Sequence, residues 1–365
     1  MKKILFVLHL PPPVYGASMV GKYIHDSELI NNAFTCRYVS LTLATNISDI
    51  GKPSIRKAID YLKQYRSIRR QARDFQPDLI YVTPNATGGA FYKDFFIVQM
   101  LKRLTPQVIV HYHNKGIRHR QDKTFDNRLY RHFFKNLKVI LIAKPLYIDV
   151  KKYVSPDNVY FCPNGIPLSP NTQHPTLNTQ HPALLRILFL SNMIESKGVW
   201  TLLSACQQLR DQGCTFQCDY VGNWSDVDEK TFNNQVAELK LGEQVKAHGG
   251  VYGDDRSNFF NRADVFVLPT YYPNECFPLV LLEAMQHGIP CISTNEGAIT
   301  DIIDDGQTGF IIPANNPSML ADKLQFLSEN PKQRKEMGQR GYLKFKDNYT
   351  INHFETRLLN ILHNA

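Results

Sequence analysis

The sequence predicts an α/β protein made of two successive parallel-sheet halves. Three observations carry that prediction. Short apolar runs alternate with longer stretches of helical periodicity from Lys3 onward, the pattern of βαβ units and so of parallel sheets covered on both faces. The alternation stops once, at a polar, proline-bearing stretch near residue 171, and restarts at Arg186. At 365 residues and 43% hydrophobic content, the chain also has the length for two packed domains of about 150 residues each.

The first apolar run is Lys3–Leu8. Its basic start, Met1-Lys2-Lys3, could pass for an export signal. The run is short, however, breaks at His9 and ends at Pro11-Pro12-Pro13 without a small-residue cleavage site. A buried first strand is the better reading. A helix follows from Gly16, and strands are predicted at Phe34–Leu41, Leu79–Val82, Gln107–His113, Val139–Ala143 and Val159–Cys162, with helices between them. These make a first domain over 1–170. Residues 171–182 hold the string Asn-Thr-Gln-His-Pro twice. So polar a duplication cannot pack a core, and 171–185 is predicted as a linker. The second domain, 186–349, opens on strand Ile187–Leu190. Phe216–Val221, Val245–His248, Ala263–Leu268, Cys291–Ser293 and Gly309–Ile312 follow, then a last helix in 350–365.

Composition excludes several classes. No segment reaches the roughly 18 apolar residues needed to span a bilayer. The seven Cys are scattered without a CxxC pair, which predicts a reducing, cytoplasmic setting and no metal site. The net charge of +9 is uneven: residues 1–170 carry 26 Lys/Arg against 11 Asp/Glu, the remainder 16 against 22. The cations gather in Ile55–Arg73, where Ile55, Ile59, Leu62 and Ile68 recur at helical spacing, and in Lys115–Lys138, where Phe125, Tyr130, Phe133 and Phe134 interleave with eight Lys/Arg. Solvated faces of sheet-covering helices would account for either segment alone. Both in one half suggest an anionic membrane surface or an acidic partner.

The most specific stretch runs from Pro269 to Met285. After the strand Ala263–Leu268 comes a loop holding Glu275, then a helix predicted over Leu279–Met285, with Pro278 suited to its first turn and Gly288 and Pro290 marking its stop. Glu283 lies inside that helix. The amides of Phe277, Leu279 and Val280 precede its first intrahelical bonds and suit an anion such as a diphosphate. This segment, Glu275-Cys276-Phe277-Pro278-Leu279-Val280-Leu281-Leu282-Glu283, resembles the E-x7-E motif of the retaining glycosyltransferases of family four. The resemblance implies the GT-B fold, two Rossmann-like domains with parallel sheets facing across a cleft, and a last helix crossing back onto the first domain. It also implies Glu275 against the transferring sugar, Glu283 on the nucleotide ribose, and the intervening amides, including the Pro278 turn, around the donor diphosphate.

Further positions follow from the same resemblance. Ser191–Gly198 is similar to the family's Arg-x4-Lys-Gly element: Lys197 and Gly198 match, and Asn192 stands where the family has Arg, one diphosphate-binding cation fewer. Gly16, in Val14-Tyr15-Gly16-Ala17-Ser18, resembles the glycine loop near the diphosphate, with one glycine of the usual two. His113, at the end of a predicted strand, is assigned to the transferring sugar, and His111, deeper in that strand, to the core. Gly222 with Asn223, and Gly250 with Val251, fall where the family places the nucleotide base. Glu296-Gly297-Ala298 resembles its later small-residue loop, while Asp305-Gly306 and Thr308-Gly309 are predicted to form a hairpin turn.

The resulting expectation is a retaining, metal-independent glycosyltransferase without a cofactor. It would move a hexose-type sugar from a nucleoside diphosphate sugar to a glycan or lipid-diphosphate acceptor in bacterial surface polysaccharide assembly (capsule, O-antigen or exopolysaccharide). It would be cytoplasmic, peripheral at the inner face of the membrane. The alternatives are a GT-B relative such as a sugar-nucleotide epimerase or phosphorylase, and a catalytically decayed polyanion-binding protein. No pyridoxal-binding Lys or inorganic-phosphate site supports a phosphorylase, and no recognisable module supports nucleic-acid binding.

Overall fold

Continuous apolar strands need cover on both faces, and the chain supplies it with a helix after almost every strand. The computed structural model describes residues 1–42, 55–105, 107–169, 184–251 and 253–365. It divides into two units, Met1–Asn164 with Ile351–Ala365, and Gly165–Thr350. The duplicated segment predicted as a linker lies outside the described residues.

The N-terminal unit runs β1 (Lys3–Leu8), α1 (Gly16–Asp26), α2 (Glu28–Ala33), β2 (Thr35–Ser40), α3 (Ile55–Phe75), β3 (Leu79–Val82), α4 (Gly88–Leu101), β4 (Val108–Tyr112), α5 (Thr124–Phe134), β5 (Lys138–Leu141), α6 (Tyr147–Val150) and β6 (Val159–Phe161). Its sheet has the order β2-β1-β3-β4-β5-β6 and every ladder is parallel. Leu5, Ile80, Val110 and Val139 feed one core face, closed by Ile68 and Ala72 of α3, Phe91 of α4 and Phe133 of α5.

The C-terminal unit runs β7 (Leu185–Leu190), α7 (Val199–Asp211), β8 (Phe216–Val221), α8 (Glu229–Glu238), β9 (Val245–Ala247), α9 (Asp254–Arg262), β10 (Val265–Leu268), α10 (Leu279–Gln286), β11 (Cys291–Thr294), α11 (Ile299–Ile302), β12 (Gly309–Ile312), α12 (Pro317–Glu329) and α13 (Pro331–Asn348). Its sheet, β12-β11-β10-β7-β8-β9, is again wholly parallel. The order reverses between β7 and β10, so the loops after these two strands diverge at a switch point. In open α/β sheets such a point, at the carboxyl ends of the strands, is where ligands bind. The last helix, α14 (Ile351–Asn364), belongs to the N-terminal unit. There Lys2 donates to the carbonyls of Leu362 (2.9 Å) and Ala365 (3.0 Å), and the rings of Phe34 and His363 lie 4.7 Å apart.

One expectation changes, and the apolar residues of α3 take a definite orientation. The turn Asp305–Gly309 makes no antiparallel hairpin, since β11 and β12 are parallel neighbours joined through α11. On α3, Ile59 (49% exposed) and Leu62 (51%) face solvent. The core-facing stripe is Tyr61, Tyr65, Ile68, Ala72 and Phe75, so Ile68 faces the core while Ile59 and Leu62 do not.

Candidate active site

The strand ends at the switch point hold the predicted C-terminal residues. β7 leads into Ser191-Asn192 and then a short turn, Glu195–Lys197, that Gly198 ends in a left-handed conformation (φ +88°). Only glycine fits there: a β-carbon would stand 2.3 Å from the Pro269 carbonyl oxygen. The turn is also tied to the loop after β10, because Tyr271 N–H donates to the Ser196 carbonyl at 2.7 Å. That docking brings Lys197 to Glu275. Lys197 Nζ donates to Glu275 Oε2 at 2.5 Å and lies 4.7 Å from the Tyr272 ring centroid. Both side chains are largely buried, at 15% and 9% exposure.

Glu275 is held from a second side. Gly297 (φ +60°) lets its loop pack on the Glu275 backbone, where a β-carbon would meet the Glu275 carbonyl oxygen at 2.4 Å. Ala298 N–H donates to the Cys276 carbonyl at 2.8 Å. The chain then enters α10, whose first backbone bond runs from Leu281 N–H to the Pro278 carbonyl. The amides of Phe277, Leu279 and Val280 precede that bond, with Pro278 as the capping residue.

Asn192 and Gly222 meet through the backbone. A β-carbon on Gly222 would stand 1.7 Å from the Ser191 carbonyl oxygen, and Gly222 N–H donates to the Gly249 carbonyl at 2.8 Å. The strand ends of β7, β8 and β9 thus form one row that reaches Gly250 and half-buried Val251.

Glu283 has a partner that the sequence did not reveal. Arg256 of α9 reaches it at 2.8 Å. Burial pushes the Glu283 carboxyl up, and the Arg256 guanidinium pulls it back. Arg256 Nε is buried without a partner among the described residues. Nothing in the sequence marks it out from Arg262, the other arginine of the same short helix.

Gly16 and His113 belong to the N-terminal unit. Gly16 is the first residue of α1 rather than part of an open loop, with Tyr15 as its cap. His113 follows β4, and both its ring nitrogens are buried without a partner among the described residues. Burial first, then neighbouring His9, lowers its pKa to about 3, so the ring is neutral. His9 is itself lowered to about 4, by burial and by Lys93. His111 is fully buried and hydrogen-bonded to the Tyr81 hydroxyl at 2.6 Å, a core role. Asp149 fixes the loop after His113 by accepting from the amides of Gly116, Ile117 and Arg118.

With this geometry in hand, residues 181–344 match the family described as glycosyl transferases group 1. This stretch belongs to that family. The amylovoran biosynthesis glycosyltransferase AmsK of Erwinia amylovora is 30% identical over 149 residues, 40% of this chain and 36% of the relative. The match therefore spans little more than a third of that relative's length. Among solved structures, sucrose-phosphate synthase from Thermosynechococcus elongatus superposes with a TM-score of 0.76 at 16% identity, covering 100% of this chain and 99% of the other. Anabaena Alr3699/HepE, in complex with UDP and glucose, superposes with a TM-score of 0.73 at 15% identity, covering all of both chains. Likeness at that identity shows a shared fold, and the chain has the GT-B α/β fold.

Proposed function

We propose that the protein is a retaining glycosyltransferase that moves a sugar from a nucleoside diphosphate sugar to a glycan or lipid-linked acceptor in surface polysaccharide assembly. The observation that carries this reading is the buried Lys197–Glu275 pair beside the amino end of α10. Departure of a diphosphate builds negative charge, and fixed cations and oriented amides stabilise it. An ammonium has three donors; Glu275 engages one of those on Lys197, leaving two for phosphate oxygens. The amides of Phe277, Leu279 and Val280 add neutral donors, and Asn192 adds a hydrogen bond where its family relatives carry a cation. Support for a nucleotide donor comes from the neighbour solved with UDP and glucose, and for a polysaccharide product from the amylovoran relative.

The step breaks the bond from the anomeric carbon to the diphosphate oxygen, the electron pair leaving with the phosphate. The acceptor hydroxyl oxygen forms its bond to that carbon on the same face, and its proton passes to the departing phosphate oxygen. Glu275 orients Lys197 and faces the sugar, and Glu283 accepts from the ribose. Gly222 and Val251 lie near the base. No metal or cofactor takes part.

A thermal-shift screen against UDP, GDP, ADP, CMP and their sugar conjugates tests the donor class, because binding to the folded state raises the midpoint by mass action. A shift with one nucleoside diphosphate is expected. Lys197→Ala and Glu275→Gln should then each lower turnover by about 10²- to 10³-fold. Wild-type turnover in both would sink the mechanism. No shift with any nucleotide would favour the decayed, polyanion-binding alternative, with Asn192 as its trace.

A further inference from the structure

The loop that carries Glu275 begins at Thr270, which is fully buried and held from two sides. Its carbonyl accepts from Thr294 Oγ1 at 2.5 Å, and its hydroxyl donates to the Ser196 carbonyl at 3.3 Å. Two adjacent tyrosines follow, and the fold gives them separate partners. Tyr271 reaches the turn Glu195–Lys197, where its hydroxyl donates to Glu195 Oε1 at 3.5 Å. Tyr272 opens a β-turn, Tyr272-Pro273-Asn274-Glu275, closed by the Glu275 N–H donating to the Tyr272 carbonyl at 2.9 Å. Proline at the second position fits such a turn, because its ring fixes φ near the value the turn needs. The turn brings its first and last residues together, and both meet one cation. Lys197 Nζ lies 2.5 Å from Glu275 Oε2 and 4.7 Å from the centroid of the Tyr272 ring.

Carboxylate and ring act on the ammonium in different ways. A lysine stem is long and flexible, so its charge has to be held if it is to meet a ligand in one place. Glu275 holds it by opposite charge, and a second carboxylate would cancel the attraction for a diphosphate. An aromatic face holds it through the ring quadrupole and brings no net charge. It also imposes no single hydrogen-bond direction, so the ammonium can turn from Glu275 toward a phosphate oxygen and stay over the ring. The contact is strongest out of water, and the Lys197 side chain is only 15% exposed. Tyr272 itself is half-buried, outside the core.

We propose that Tyr272 is a positioning residue for the transfer step: its ring face holds the Lys197 ammonium where it meets the donor diphosphate and leaves the charge uncancelled. The inference rests on the donor reading given above and concerns the C-terminal unit alone. Its distinguishing property is electronic. What matters is the negative ring face, not the phenol hydroxyl or the volume of the side chain.

Calorimetric titration of the full chain with whichever of UDP, GDP and ADP raises its melting midpoint tests it. Tyr272→Phe keeps the ring and should bind the diphosphate within about twofold of the wild type. Tyr272→Leu should bind it about tenfold more weakly. A series with mono-, di- and trifluorophenylalanine at the same position separates electronics from shape, because each fluorine drains the ring face at almost constant volume. Diphosphate affinity should fall stepwise along the series, to about tenfold below Tyr272→Phe. Affinity for the nucleoside without its phosphates should stay level. A flat series in a protein that binds the diphosphate would overturn the inference and leave the donor reading standing. An equal loss for the nucleoside would also overturn it, since that is the mark of a collapsed loop. Failure of the wild type to bind any of the nucleotides would remove the donor reading and the inference with it.

Discussion

At the scale of single residues, the candidate site pairs each glutamate with a cation from another element, and the two pairs differ in what they expose. Lys197 and Glu275 are the more deeply buried pair. Arg256 and Glu283 are more open, at 35% and 24% exposure, and Arg256 keeps an unpartnered Nε–H. Arg256→Leu removes the group that holds the Glu283 carboxyl down, so in the variant that carboxyl protonates at higher pH. If Glu283 accepts from a ribose hydroxyl, nucleotide affinity in Arg256→Leu should drop about tenfold near neutrality. It should fall further as pH is lowered, over a range where the wild type holds its affinity. Calorimetric titration with the nucleotide found in the thermal screen, from pH 8 to pH 5.5, would show this. A parallel pH dependence in both proteins would remove Arg256 from the site. Glu275, Glu283 and Lys197 were legible from a motif because each has fixed chemistry at fixed spacing. Arg256 was not, because a guanidinium on a helix has the same sequence signature whether it meets water or a carboxylate.

Elements place these residues through close backbone approaches. The loop after β10 is clamped by Gly198 against Pro269 and by Gly297 against Glu275. Gly297→Ala would force a β-carbon into the Glu275 carbonyl and set a non-glycine residue at φ +60°, costing about 1–2 kcal/mol for the left-handed backbone alone. The expected outcome is a lower melting temperature and at least a tenfold loss of turnover, since the Glu275 loop must shift to make room. Gly242→Ala is the control: no atom stands within 4 Å of its would-be β-carbon, and its melting temperature should match the wild type. Strand positions were readable from apolar runs alone, as Val265-Phe266-Val267-Leu268 shows. The outward turn of Ile59 and Leu62 was not, because helical spacing defines a stripe without saying which stripe meets the sheet.

Across the whole molecule, the N-terminal unit carries a built-in acid sensitivity. His9 and His113 are held neutral, with pKa values of about 4 and about 3 against an ordinary 6.5. The unfolded chain binds protons at these positions as pH falls below 6.5, while the folded unit does not. Stability present above pH 6.5 is therefore lost on the way down to pH 4, by up to about 1.4 kcal/mol per pH unit for each histidine. Melting curves between pH 7.5 and pH 4.5 should show a falling first transition, and His9→Gln should flatten it. A transition independent of pH over that window would show that the two rings are solvated.

The sequence by itself determined the strand order in the chain, the restart at Arg186, the loop-and-helix holding Glu275 and Glu283, and the uneven charge. All are local or additive properties, set by runs, spacing and counts. The tertiary structure decided which groups meet. Lys197 and Glu275 lie 78 residues apart and come together because β7 and β10 are neighbours at the switch point of one sheet. Which residues meet follows from how the strands cross over and pair, and periodicity within any one segment carries no trace of that.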